Sequence, residues 1–335
     1  TLSSGSATIT TTATPNGKKI AVSGSQKAYQ RNMQADLSYG SGVSFHYGVQ
    51  SGQGGFDMKN SSTITGNVYS SGAVTGDGNN ISGDVISAGV SGVIDGIHAG
   101  GSAYAHQIKN STIAKDAYYS TISNTTVNGT SYPGSSDQPI APLPISDDLI
   151  ADWEAATTLD TTVCSGGTYN ISSNKTIGNI KIPCNLNISG SPTVTISWHV
   201  WVTGNITIQN SAVIKMAANL GATNVAIIAD NPSNRLTSSI INIQNTASFE
   251  DSGTPGSYVF MISQNNSAEN GGGVAAINLS NNTNTLVAYA AHGYIPLANS
   301  VSLKEVTAYK IGLLNSANVT YDTGLPSVLF EAGPG

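Results

Sequence analysis

Ile206-Thr-Ile208-Gln-Asn210 returns as Ile241-Asn-Ile243-Gln-Asn245, Ile277-Asn-Leu279-Ser-Asn281, Ile295-Pro-Leu297-Ala-Asn299 and Ile311-Gly-Leu313-Leu-Asn315. The asparagines are 35, 36, 18 and 16 positions apart, which is two, two, one and one turns of a unit of roughly 17 or 18 residues. A unit that short cannot bury its own apolar side chains, so it must stack on copies of itself. The period-two alternation within it makes the stacked pieces strands. Asparagine tolerates a left-handed backbone, and its amide can bond to the amides above and below. Asn210, Asn245, Asn281, Asn299 and Asn315 are therefore expected to form a structural ladder at one corner of the stack.

The fold class expected is all-β: a parallel β-helix, or β-solenoid, right-handed by default, in two segments, with an N-terminal β meander and one short helix. Residues 1–54 read as the meander and cap, with strand-like stretches on either side of Pro15-Asn16-Gly17 and a loop around Phe45-His46-Tyr47. His46 is expected to be structural. Residues 55–131 read as a first array, in which Ile64, Ile81, Ile97 and Ile113 recur every 16 or 17 positions and are expected to share one column. Residues 132–161 form a Pro-rich linker or strap followed by a helix over 147–157, capped by Ser146 and docked by Trp153. Residues 162–335 form the second array, with the ladder.

Composition narrows function mainly by exclusion. Charged residues make up only 10% of the 335, and the 13 Lys and Arg form no run against a formal charge of -6, which argues against nucleic acid. No stretch of about 18 apolar residues is available to span a bilayer. Cys164 and Cys184 are the only cysteines; they are either a disulfide, which would place the chain in an oxidising compartment, or two buried thiols. No metal site or cofactor is expected, since two cysteines without a histidine partner make a poor zinc site. Several Asn-x-Ser/Thr sequons, Asn60, Asn110, Asn124, Asn205 and Asn318 among them, fit export but are frequent by chance in this composition.

A hydrolase on such a scaffold would need paired carboxylates over a groove, and a lyase would need cation-binding acids with a basic partner. Asp230, Glu250 and Asp251 are the nearest candidates, and each stands without such a motif. Ala291-His292-Gly293 only echoes the Gly-His-Gly of polygalacturonases. Trp153, Trp198 and Trp201 are the candidate glycan contacts.

Ile64-Thr-Gly-Asn-Val-Tyr-Ser70, Pro144-Ile-Ser-Asp-Asp148 with Trp153, Val200-Trp-Val-Thr-Gly-Asn-Ile-Thr207, Gly256-Ser-Tyr258 and Tyr321-Asp-Thr-Gly-Leu325 through Gly333-Pro-Gly335 resemble a group of bacterial surface proteins. These combine a type IV pilin-like N-terminus with a β-solenoid. The first array also looks like bactofilin rungs. The resemblance implies an apolar N-terminal helix ahead of the meander, which this sequence does not include, so membrane contact is expected only through such a segment. It carries over no catalytic residue. The expectation is an exported, extracellular or cell-surface structural or adhesive protein, non-enzymatic, that associates with itself or with other surface or appendage subunits and with glycans. The alternatives are a carbohydrate-active β-helix enzyme and a glycan-binding module.

Overall fold

A computed structural model of the chain describes residues 5–14, 17–27, 29–38, 42–43, 49–280, 286–298, 302–320 and 328–329. Asn281, Asn299, the Phe45-His46-Tyr47 stretch, the turn residues Pro15 and Asn16, and residues 321–327 and 330–335 lie outside them. Among the described residues, apart from one α-helix and a 3-10 turn at Ala218–Leu220, the regular structure is all strand.

The chain divides into two units, Thr1–Gly42 and Val43–Gly335. In the smaller, strands β1 (Gly5–Thr14), β2 (Gly17–Gln26) and β3 (Tyr29–Ser38) form an antiparallel sheet in that order. Ile9 pairs with Val22 and Val22 with Met33, so one face carries an apolar row.

In the larger unit every strand pair with a described register is parallel. The recurring apolar pairs of the sequence fall into register: Ile206, Ile241 and Ile277 in one column, and Ile188, Ile208, Ile243, Leu279, Leu297, Leu313 and Met58 in another. Their neighbours point outward, as the two-residue period of a strand requires. All of these apolar residues are buried in a single cluster that draws on both halves of the chain. Fully burying an aliphatic side chain contributes roughly 1.5–3 kcal/mol, and each layer covers what the next would leave exposed.

The two expected arrays therefore share one sheet. Val49–Met58, the first strand of the unit, lies between Val68–Ser70 and the late strand Glu305–Leu314, with Val49 opposite both Val68 and Val306. The expected boundary at residue 54 falls inside this strand. From it the parallel pairings run to Ser131–Pro133; after the linking segment they resume at Thr158–Leu159 and lead back to the starting strand.

One expected column needs correction. Ile64 pairs with Ile81, but Ile81 pairs with Ala99, and Ala99 with Ile113. Ile97 sits opposite Asn79 instead, where the register shifts: Gly96 alone separates Asp95 from Ile97, while residues 76–78 separate their partners Thr75 and Asn79. Even spacing in sequence concealed uneven layers.

Corners are made by two devices. The first is left-handed asparagine: Asn60, Asn110, Asn124, Asn210, Asn245 and Asn315 all have φ between 45° and 64°. Asn245 donates to Asn210 at 3.2 Å, Asn124 to Asn110 at 3.4 Å and Asn60 to Asn315 at 2.8 Å. The second is an Asn or Asp that reaches to the next layer and accepts a backbone N–H there: Asn67 from Asp84, Asp84 from Ser102, Asp116 from Thr130, and Asn185 from Asn205. Glycine precedes each captured N–H, at Gly83, Gly101, Gly129 and Gly204. A Cβ there would collide with the reaching side chain, as at Gly204, where it would lie 2.5 Å from Asn185 Oδ1.

Candidate functional site

One outward column runs the length of the larger unit: Leu159, Lys181, Trp201, Ile228, Ile262, Tyr289, Thr307, Gln50, Tyr69, Ile86, Tyr104, Tyr118 and Tyr132. An outward face should be polar and exposed, yet Ile228, Ile262 and Tyr289 on it are fully buried, as is Thr307. The cover comes from the segment linking the two halves, residues 134–146, and from helix α1 (Asp147–Ala155).

The strap crosses the layers in succession, held by side chains of the column. Tyr69 Oη donates to Pro139 O (2.8 Å) and accepts from Ala141 N–H (2.6 Å), and Gln50 Nε2 donates to Pro142 O (3.2 Å). Tyr289 Oη accepts from Ile145 N–H (3.2 Å) and donates to Ile145 O. Two tyrosine hydroxyls thus do for a proline-rich segment what a neighbouring strand would do, and prolines leave few N–H groups needing partners.

Ser146 caps α1 by accepting from Leu149 N–H (3.2 Å), and Asp147 and Asp148 occupy the first turn, where the helix dipole favours acids. Its buried side, Ile150 and Trp153, packs with Ala226, Ile228, Tyr258, Phe260, Ile262, Val287 and Tyr289. Trp153 is 1% exposed and stacks on His199 with ring centroids 5.3 Å apart. It is thereby withdrawn as a glycan contact, since a sugar needs an open ring face. Trp198 and Trp201 are half-buried: Trp198 tilts against His199, and Trp201 lies under the Lys181 ammonium at 3.5 Å while donating to Asp230 O.

Two ionisable clusters fasten the ends of α1. At its C-terminal end Glu154, 8% exposed, faces Asp230, which is fully buried and holds Arg235 in a bidentate pair with both contacts at 2.7 Å. Burial, and then the Asp230 carboxylate beside it, push Glu154 up to about 8, so it carries a proton at neutral pH. At the N-terminal end His292 contacts Asp147 through Nε2 (3.0 Å) and Glu269 through Nδ1 (2.6 Å). Partial desolvation opposes its charge, but the two carboxylates outweigh that and raise its pKa. His199 differs: Nδ1 accepts from Ala226 N–H (3.0 Å), and burial lowers it to about 4.

The acids singled out in the sequence are not gathered together. Asp230 is committed to Arg235, while Glu250 pairs with Lys215 (3.0 Å) on the separate four-stranded sheet. Asp251 accepts from Gly253 N–H in a turn (2.8 Å). The sequence did carry a signal for Glu154, which follows Ile150 by one helical turn and so shares its buried side. Among the described residues no group of three or more His, Cys, Asp and Glu is placed to hold a metal ion, and no helix is long and apolar enough to cross a membrane.

Cys164 and Cys184 are joined in a disulfide, with Cα atoms 6.2 Å apart. It ties the loop that follows Thr158–Leu159 to the next layer, and that loop folds back through an antiparallel bridge between Ser165 and Thr168.

No protein-family model matches the chain, and no curated protein matches it. Among solved structures it is similar to the competence-associated pilin ComZ from Thermus thermophilus, with a TM-score of 0.33 and 11% identity, over 99% of this chain and 81% of that one.

Proposed function

We propose that the chain is an extracellular structural or adhesive β-solenoid of the cell surface or of a pilus-like appendage, and that it acts without catalysis. The observation that carries this reading is the unbroken column from Leu159 to Tyr132, braced at Tyr69, Gln50 and Tyr289 by one strap. Parallel strands in continuous register resist bending because each layer is bonded on both sides. The disulfide supports an oxidising location. The non-catalytic reading is supported by the commitment of Asp230, Glu250 and Asp251 to structural partners.

Partners in this reading are other surface or appendage subunits, and the sides of the solenoid suit them better than the end at Ser131–Pro133. Pro133 lies in the outermost strand at one end and offers no N–H to an added strand. Gold-labelled antibody on intact cells and sheared appendages tests the proposal. Label on either is expected; label found only inside lysed cells would refute it.

A further inference from the structure

The strands Thr168–Ile171, Asn185–Ile188, Ile206–Ile208 and Ile241–Ile243 form a face of the larger unit away from the strap. Their outward residues align as the column Asn170, Asn187, Thr207 and Asn242. Beside it, Asn185 and Asn205 occupy corners, and together these six line a shallow groove of about 400 Å³ that contains no charged side chain.

The amides in this groove are oriented. A backbone N–H can only donate, so Asn185, accepting from Asn205 N–H at 2.8 Å, and Asn205, accepting from Ile240 N–H at 3.0 Å, must present Oδ1 inward and NH2 outward. Asn170 Oδ1 is taken by Asn187 Nδ2 (2.8 Å) and Asn242 Oδ1 by Asn278 Nδ2 (2.9 Å). Four amides therefore have their acceptor oxygens committed and their NH2 groups remaining, with the Thr207 hydroxyl among them. A groove of about 390 Å³ in the other half of the chain runs along the column Thr63, Asn80, His98 and Thr112, but Ile64, Ile81, Ala99 and Ala114 also line it and it is the more apolar of the two.

The geometry points to a binding groove for a neutral polysaccharide. A surface of fixed N–H donors without cations selects oxygen-rich ligands but gives a polyanion no countercharge. The donors recur layer by layer at roughly 4.8 Å, so a ligand that meets several of them must repeat its acceptor oxygens along its own length. Hydroxyl and ether oxygens of a glucan, or acetamido carbonyls of a chitin-like chain, have that chemistry. As the ligand of the adhesive surface, this rests on the proposed surface display.

Retention of the purified full chain on cellulose, on chitin and on a pectate gel tests it, with Asn185→Asp/Asn205→Asp as the variant. Aspartate keeps the inward acceptor, as Asp84 and Asp116 do in the other half of the chain, and replaces only the outward donor. Retention on cellulose or chitin but not on pectate is expected, with at least a tenfold loss in the variant and none in Thr195→Lys on the four-stranded sheet. Should the double variant fail to fold, Asn170→Asp is expected to weaken retention in the same sense. Failure of the unaltered protein to bind either neutral polymer, or equal binding by a folded groove variant, overturns the proposal. Surface label without retention removes the groove alone, and retention without surface label removes the display alone.

Discussion

Asn185 reaches across one layer and holds the backbone N–H of Asn205 at 2.8 Å, and Gly204 lies where any side chain would strike that amide. The pair explains why Gly-Asn and Gly-Asp keep returning before an apolar residue. Overpacking at a fixed backbone typically costs about 1–3 kcal/mol, so Gly204→Ala should lower stability by about 2 kcal/mol in urea unfolding. Asn185→Ala removes the obstacle but orphans the N–H. The double variant should therefore be less destabilised than the sum of the singles, which a double-mutant cycle measures.

Asn210 has φ 64° and accepts from Asn245 at 3.2 Å. Asn210→Gly keeps the left-handed backbone and should change stability little, whereas Asn210→Ala should cost about 1–2 kcal/mol, as the left-handed region does for an ordinary side chain. Chemical denaturation midpoints decide this; equal effects of the two substitutions would contradict it.

The strap depends on hydroxyls. Tyr289→Phe leaves the N–H and C=O of Ile145 without their partner, and a buried unsatisfied group costs about 1–3 kcal/mol. Amide exchange over residues 139–146 should accelerate at least tenfold in this variant, with less change in strands on other faces. Tyr69→Phe should act on residues 139–141 in the same way.

Stability should fall as pH rises above neutrality. Glu154 keeps its proton when folded up to about 8 but loses it when unfolded near 4.5, so across that window rising pH favours the unfolded chain. Glu305 acts in the same direction, its completely buried carboxyl being held well above 4.5. His292, raised in the folded state, also stabilises most below 6.5. His199 works the other way: folded near 4 and unfolded near 6.5, it costs stability as pH falls through that interval. His199 offsets only one of the two carboxyls between 4.5 and 6.5, so the decline is shallower there and steepens from pH 6.5 to 8. Thermal melts should show that decline, and Glu154→Gln should flatten it.

Reduction of Cys164–Cys184 should destabilise the end layer before the rest. Closing a loop of this length contributes about 3 kcal/mol in the chain-entropy picture, and contacts in the stack run only between neighbouring layers. With reductant present, amide exchange should rise in Thr168–Ile171 and remain slow in Ile241–Ile243.

The sequence disclosed what repeats and concealed what joins. The Ile206, Ile241 and Ile277 phrases lie in register because one local pattern generates each layer, and the helix expected over 147–157 spans Asp147–Ala155 behind the expected Ser146 cap. Of the expected asparagine ladder, Asn210 and Asn245 are bonded to each other, while Asn315 bonds to Asn60. Nothing local marks that partnership, because it is made where the two halves of the chain meet. Trp153 docks the helix as its helical spacing suggests, whereas the pairing of Asp230 with Arg235 five positions on, in an irregular segment, leaves no periodic trace in the sequence. The groove amides were in view as common asparagines, and only the captured N–H groups give them a direction.

The starting strand in the middle of the stack has a consequence for synthesis. Val49–Met58 leaves the ribosome well before Glu305–Leu314, with one flank to be covered by Val68–Ser70 and the other by that later strand, across junction contacts such as Asn60 to Asn315 that span 255 positions. Until the last turns are made, the newborn first half carries an open hydrogen-bonding edge, the kind of surface on which nascent chains aggregate. That edge is closed only when Glu305–Leu314 docks, and a chain truncated before residue 305 would keep it uncapped.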